Sequence, residues 1–155
     1  MPVSEGADIS EFVKDLEELR AKMPSIVSDT VHEIANTAYY YSQAYCPVVS
    51  GNLKQRSGCD VSQPNVGIIW YAAPYAPYVE YGTGIYGPKG VGYIVRVNPP
   101  KKALHWVDSG GDHFAKSVYI KGMPPRGFLR GAVVTTRTLA PDLARAVFNR
   151  SVGET

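Results

Sequence analysis

The chain has 155 residues, 45 % of them hydrophobic and 19 % charged, with a net charge of +2. That length and balance fit one folded domain with a sizeable core and exclude a wholly disordered chain. The small net charge gives no reason to expect a dedicated nucleic-acid or membrane-surface binder.

No window approaches the roughly 20 apolar residues of a membrane-spanning helix. The polar, acidic start from Met1 to Ile9 lacks a secretory pattern, so the sequence reads as cytoplasmic at least when made. Two cysteines, Cys46 and Cys59, are too few for a disulfide framework and lack metal or redox spacing, so both are expected as free thiols. Tyrosine is over-used, 11 against 4 Phe and 2 Trp. Its large apolar ring with a polar tip suits surfaces that are covered only on association.

In chain order, Ile9, Phe12, Val13, Leu16 and Leu19 recur at helical spacing and predict an amphipathic helix over 9–22. Met23-Pro24-Ser25 is expected to break it. A second helix is predicted from about Ser25 to Tyr45, ended by Cys46-Pro47. Leu53–Ser62 and Val66–Tyr71, around Gln63-Pro64-Asn65, predict a β-hairpin. Further strands are expected at 92–97, 103–107 and 114–119, the last two joined by a turn at 108–112. A helix from Phe128 to about Thr136 and another restarting at Pro141 finish the pattern. The order predicts an α+β fold: an antiparallel sheet of about four to five strands packed against N-terminal and C-terminal helices. Domain organisation is read as residues 1–8 and 151–155 flexible, with a single domain over 9–150.

Three segments combine rigid backbone with aromatic or charged side chains: Cys46 to Leu53, Tyr75 to Thr83, and Gly122 to Arg130. In the second, Tyr75, Tyr78 and Tyr81 recur every three residues, which places them on one face of a helical turn but not of a strand. Glu80 is then expected to project away from that row, free to meet a cation. A buried aromatic corner is the competing reading of the tyrosines. In the third segment, Arg126 and Arg130 flank Phe128 and share a face if helical geometry begins that early. Tyr75, Tyr78, Glu80, Tyr81, Arg126, Phe128 and Arg130 are therefore the candidate interface residues. The five glycines from Gly82 to Gly92 predict a loose loop, not a phosphate-binding one, because no strand-then-helix context surrounds them.

Catalytic arrangements are not found. His32, His105 and His113 lack ligand spacing. His105 and His113 could approach across a hairpin, but Asp108 and Asp112 are better explained as turn residues. No Gly-x-Ser-x-Gly elbow is present. The reading is no enzyme, no cofactor and no metal.

Taken together, these residues resemble the small neck or tail-completion (head–tail joining) protein family of long-tailed bacteriophages. Cys46 to Leu53 resembles the family's Ala-Pro-Val-Asp-Thr-Gly-x-Leu stretch, and Tyr75 to Thr83 its Tyr-Ala-x-Tyr-Val-Glu-Tyr-Gly-Thr stretch. Pro124 to Ala132 resembles its late Pro-x-Arg-Pro-Phe-Leu-Arg-Pro-Ala stretch, and 101–106 and 114–118 resemble its middle. The likeness spans roughly residues 8–150. Val49-Ser50 departs from the usual acidic-then-small pair, Gly127 and Gly131 stand in place of prolines, and Cys46 in place of an alanine. The resemblance implies a virion protein of the neck, a ring (hexameric, to match a tail tube) joining the capsid connector to the tail. Its implied partners are further copies of itself, head-closure or connector proteins, the tail terminator or tail tube, and double-stranded DNA passing through the lumen, with no membrane. The alternatives are a non-catalytic adaptor or assembly chaperone for phage proteins, a tail-terminator protein, and a nucleic-acid-binding enzyme.

Overall fold

A computed structural model describes residues 9–153; the expected flexible stretch at 1–8 and the last two residues of the expected tail lie outside the described residues. The fold is α+β, as the pattern predicts. Its elements are α1 (Ser10–Tyr45), α2 (Asn52–Gln55), β1 (Ser57–Asp60), β2 (Ile68–Tyr71), α3 (Ala76–Tyr81), β3 (Tyr93–Arg96), β4 (Leu104–Asp108), β5 (Gly111–Ala115), β6 (Ser117–Ile120) and α4 (Phe128–Val152). The strands form three two-stranded ladders, β1 with β2, β3 with β6, and β4 with β5.

Two predicted helix breaks are absent. Pro24 lies inside α1 and Pro141 inside α4. A proline removes one backbone donor and crowds the preceding turn, yet burial beyond it holds each helix on course. Past Pro24, α1 buries Ile26, Ala35, Ala38 and Ser42, and past Pro141, α4 buries Val147. Ser25 also donates its hydroxyl to the Lys22 carbonyl at 2.8 Å, occupying one acceptor of the disturbed turn. The first strand of the predicted hairpin is shorter than expected. Leu53 belongs to the helical turn α2, where it is buried, and pairing begins only near Ser57.

The chain divides into two compact units: residues 1–44, 58–70 and 132–155, and residues 45–57 and 71–131. In the first, α1 and α4 run antiparallel. Val152 lies near Leu19, and Ala144 and Phe148 face Ile26 and Val31. Buried small residues on both helices, Ala35, Ala38 and Ala132, leave room for close packing. Thr136, also buried there, has a hydroxyl without a hydrogen-bond partner. The N-terminal turns of α1 keep their apolar stripe exposed, with Phe12 62 % and Leu16 48 % accessible.

The second unit holds a small core of Cys46, Leu53, Ala73, Ala76 and Phe128, with Tyr71, Val79 and Leu129 packed on it. From it extends a two-stranded arm. Tyr93–Arg96 pairs with Ser117–Ile120, Val97 N–H bonds to the Lys116 carbonyl, and Leu104–Asp108 pairs with Gly111–Ala115. One strand run, 111–120, thus serves both ladders, interrupted only at Lys116. At about 3.3 Å per residue it spans roughly 30 Å. The other side detours through 98–103 between β3 and β4.

Candidate functional site

The three segments singled out from the sequence meet in the second unit. Pro47, Val49, Ser50, Gly51 and Leu53 from the first, Tyr75 and Val79 from the second, and Met123 and Arg126 from the third line one cavity of about 170 Å³. The lining offers apolar surface, the hydroxyls of Ser50 and Tyr75 and the Arg126 guanidinium. Its size and apolar walls suit a small apolar side chain.

Local backbone geometry explains the convergence. The tyrosine spacing does form a helical turn: α3 has Pro77 in its first turn and Gly82 at its C-terminal end, where Gly82 N–H bonds to the Tyr78 carbonyl. Backbone bonds then stitch the second segment to the third, from Thr83 N–H to the Met123 carbonyl, Ile85 N–H to Lys121 and Arg126 N–H to Val79. The loop after Gly82 is therefore not loose throughout. Residues 84–86 form a 3₁₀ turn held against 121–123. Gly84 and Gly122 lie face to face at positive φ, and a Cβ on Gly84 would run into the Lys121 carbonyl. Only glycine fits so close an approach in that backbone region.

Glu80 departs from its expected role. It is only 6 % accessible, and its two carboxylate oxygens accept the backbone N–H groups of Leu129 and Arg130, each at 2.9 Å. Those donors belong to the first turn of α4, which lacks acidic residues of its own. A carboxylate there satisfies two orphan N–H groups and complements the positive helix end. The physical reason for the departure is the turn at Gly82, which directs α3 beside the start of α4, so the charge faces backbone and not a partner. Phe128, likewise expected at an interface, is 2 % accessible. Its ring packs edge-on against Tyr71 with centroids 4.9 Å apart.

The remaining candidate residues lie at the surface. Tyr75, Tyr78 and Tyr81 are all exposed, so they form an outer row and not a buried corner. The Tyr75 hydroxyl accepts from the Asn52 side chain at 3.0 Å. Arg126 and Arg130 do not share a helix face, because α4 begins only at Phe128. The Arg130 guanidinium instead sits 5.7 Å above the Tyr81 ring, a cation–π arrangement. Tyr78 and Tyr81 also border an open groove of about 610 Å³ with Thr83, Lys89, Val91 and Tyr93.

Both cysteines are free thiols. Burial pushes the Cys46 thiol above its ordinary pKa, with Lys54 pulling weakly back, and burial followed by the nearby Asp60 charge does the same to Cys59. The Asp60 carboxyl is held below its usual range by hydrogen bonds from Ser62, whose backbone N–H lies 2.9 Å away.

Sequence reasoning missed the arrangement at the arm's tip. Asp108 does cap the turn through Gly110 N–H at 2.7 Å, but both aspartates also pair with histidines. His105 meets Asp112 at 2.5 Å while stacked on Phe114, and His113 meets Asp108 at 2.9 Å while stacked on Trp106. Residues 105 and 106 alternate across the pleat, so one such set lies on each face. The signal was the register: in a hairpin turning at Ser109-Gly110, each aspartate lies two residues nearer the turn than the residue directly opposite its histidine. Among the described residues no cluster of three or more His, Cys, Asp or Glu is placed to hold a metal ion, and no helix is long and apolar enough to cross a membrane. No protein-family model, curated protein or solved structure matches the chain.

Proposed function

We propose that this protein is a structural component of a phage neck, forming a ring that joins the capsid connector to the tail and completes the DNA channel. The observation that carries the reading is the convergence of the three family-like segments, far apart in sequence, on one cavity in the second unit. Around that cavity lies surface suited to association: the exposed tyrosine row, the Arg130–Tyr81 pair and the open aromatic groove. Aromatic residues and arginine are enriched in interface cores. On this reading the protein acts by binding, not by turnover, and its partners are further copies of itself and the neighbouring connector and tail proteins.

The test is electron microscopy of particles from cells lacking the gene. The expected result is filled heads and free tails that fail to join, or tails of abnormal length. Normal, infectious tailed particles in its absence would overturn the assignment.

A further inference from the structure

The small net charge conceals a division between the two units. Residues 45–57 and 71–131 carry ten Lys and Arg against three Asp and Glu, a net +7; residues 1–44, 58–70 and 132–155 carry six against eleven, a net −5. Each unit also exposes apolar side chains that nothing among the described residues covers.

In the basic unit these lie on the arm. Ile94 and Tyr119 stand directly opposite each other across the β3–β6 ladder and are both exposed. Nearer the tip, Val107 and Phe114 are 66 % and 68 % accessible. A two-stranded ribbon is marginal in water by itself and gains from a surface to lie on. From Tyr93 to Lys121 it bears Arg96, Lys101, Lys102, Lys116 and Lys121, and its two aspartates are each engaged by a histidine. In the acidic unit the apolar stripe is the start of α1, Phe12, Val13 and Leu16, with Ile9 just before it. That helix carries six carboxylates against three basic side chains.

We propose that copies of this chain associate head to tail, the basic arm of one lying on the acidic, apolar N-terminal face of α1 in the next. Opposite charge and matching apolar exposure on two different surfaces of one chain favour a heterologous contact, which repeats around a ring or along a filament. A second copy is the occupant because the chain itself supplies the complementary surface. This inference deepens the ring reading and rests on it only for closure; the pairwise contact stands alone.

The experiment uses the full chain and two variants, one altered on the arm (Ile94→Gln with Phe114→Gln) and one on the helix (Phe12→Gln with Leu16→Gln). Circular dichroism checks that each folds, and sedimentation velocity reads assembly. The wild type self-associates, and raising the salt weakens that association about tenfold, because exposed charges are screened. Neither variant alone self-associates. An equimolar mixture of the two forms a heterodimer that stops there, because it retains one intact arm and one intact helix face. Either variant assembling like the wild type, a mixture that stays monomeric, or a wild type that stays monomeric and binds only an added duplex DNA would overturn the proposal. Should either variant misfold, Lys101→Gln with Lys102→Gln replaces the arm variant and Asp15→Asn with Glu18→Gln the helix variant, neutral changes that create no new attraction, and the same mixture applies. Failure here with head–tail joining still lost in the gene deletion would leave the neck reading standing. A head-to-tail contact alongside normal particles in the deletion would do the reverse.

Discussion

The second unit holds two regions with opposite designs. Around Glu80 and Phe128, three of the features that stand out in the sequence are used inside the chain: the carboxylate bonds two backbone donors, the ring fills the core, and glycines let two backbones touch. Along 93–120, an ordinary-looking stretch of alternating residues forms an arm whose large side chains face outward. The difference shows that a distinctive motif marks where backbone geometry is demanding, because only a few residues solve a demanding geometry. A surface for association needs area and charge, which many sequences supply, and so leaves a weaker signature.

The comparison breaks first at Phe128. Phe128→Ala should lower stability by about 3–5 kcal/mol, the range for removing a buried aromatic ring, read by chemical denaturation. A loss near zero would place Phe128 outside the core. Next, Glu80→Ala should cost about 3 kcal/mol, since two charge-assisted hydrogen bonds contribute roughly 1.5 kcal/mol or more each, while Glu80→Gln, keeping one acceptor oxygen, should cost less. An unchanged melting temperature for Glu80→Ala would return that residue to the interface. Gly84→Ala should follow at more than about 1 kcal/mol, because φ is positive there and the added methyl meets the Lys121 carbonyl.

The arm should respond in the other direction. Phe114→Gln should shift stability of the isolated chain by no more than about 0.5 kcal/mol, as for exposed substitutions generally, while lowering self-association. A large drop in melting temperature would mean the ring supports folding and not docking. The smallest effect separates two thiols. Cys46, buried in the core around Phe128, should react with an alkylating reagent more slowly than the half-buried Cys59 until the chain is unfolded. Both thiol pKa values are raised in the folded state, so stability is undiminished below the ordinary thiol range and falls as pH rises from there through the raised folded-state values. Equal labelling rates in the native protein would show that this core opens readily.

Much of the local structure was legible in the residues. The apolar period of α1, the three-residue tyrosine repeat of α3 and the alternation of β3 and β4 each depend on neighbours a few positions apart, so the sequence determined them. The two prolines were misread for the same reason. Locally each predicts a break, and only burial of residues such as Ile26 and Val147 across the helix pair holds the helices through them. Tertiary structure alone decided the role of Glu80. Nothing within four residues distinguishes a carboxylate that meets a partner's cation from one that meets the first turn of a helix 49 residues later. The division of charge into +7 and −5 was likewise present in the sequence but unreadable there, because a balance of +2 acquires a direction only when the fold assigns each charge to a unit.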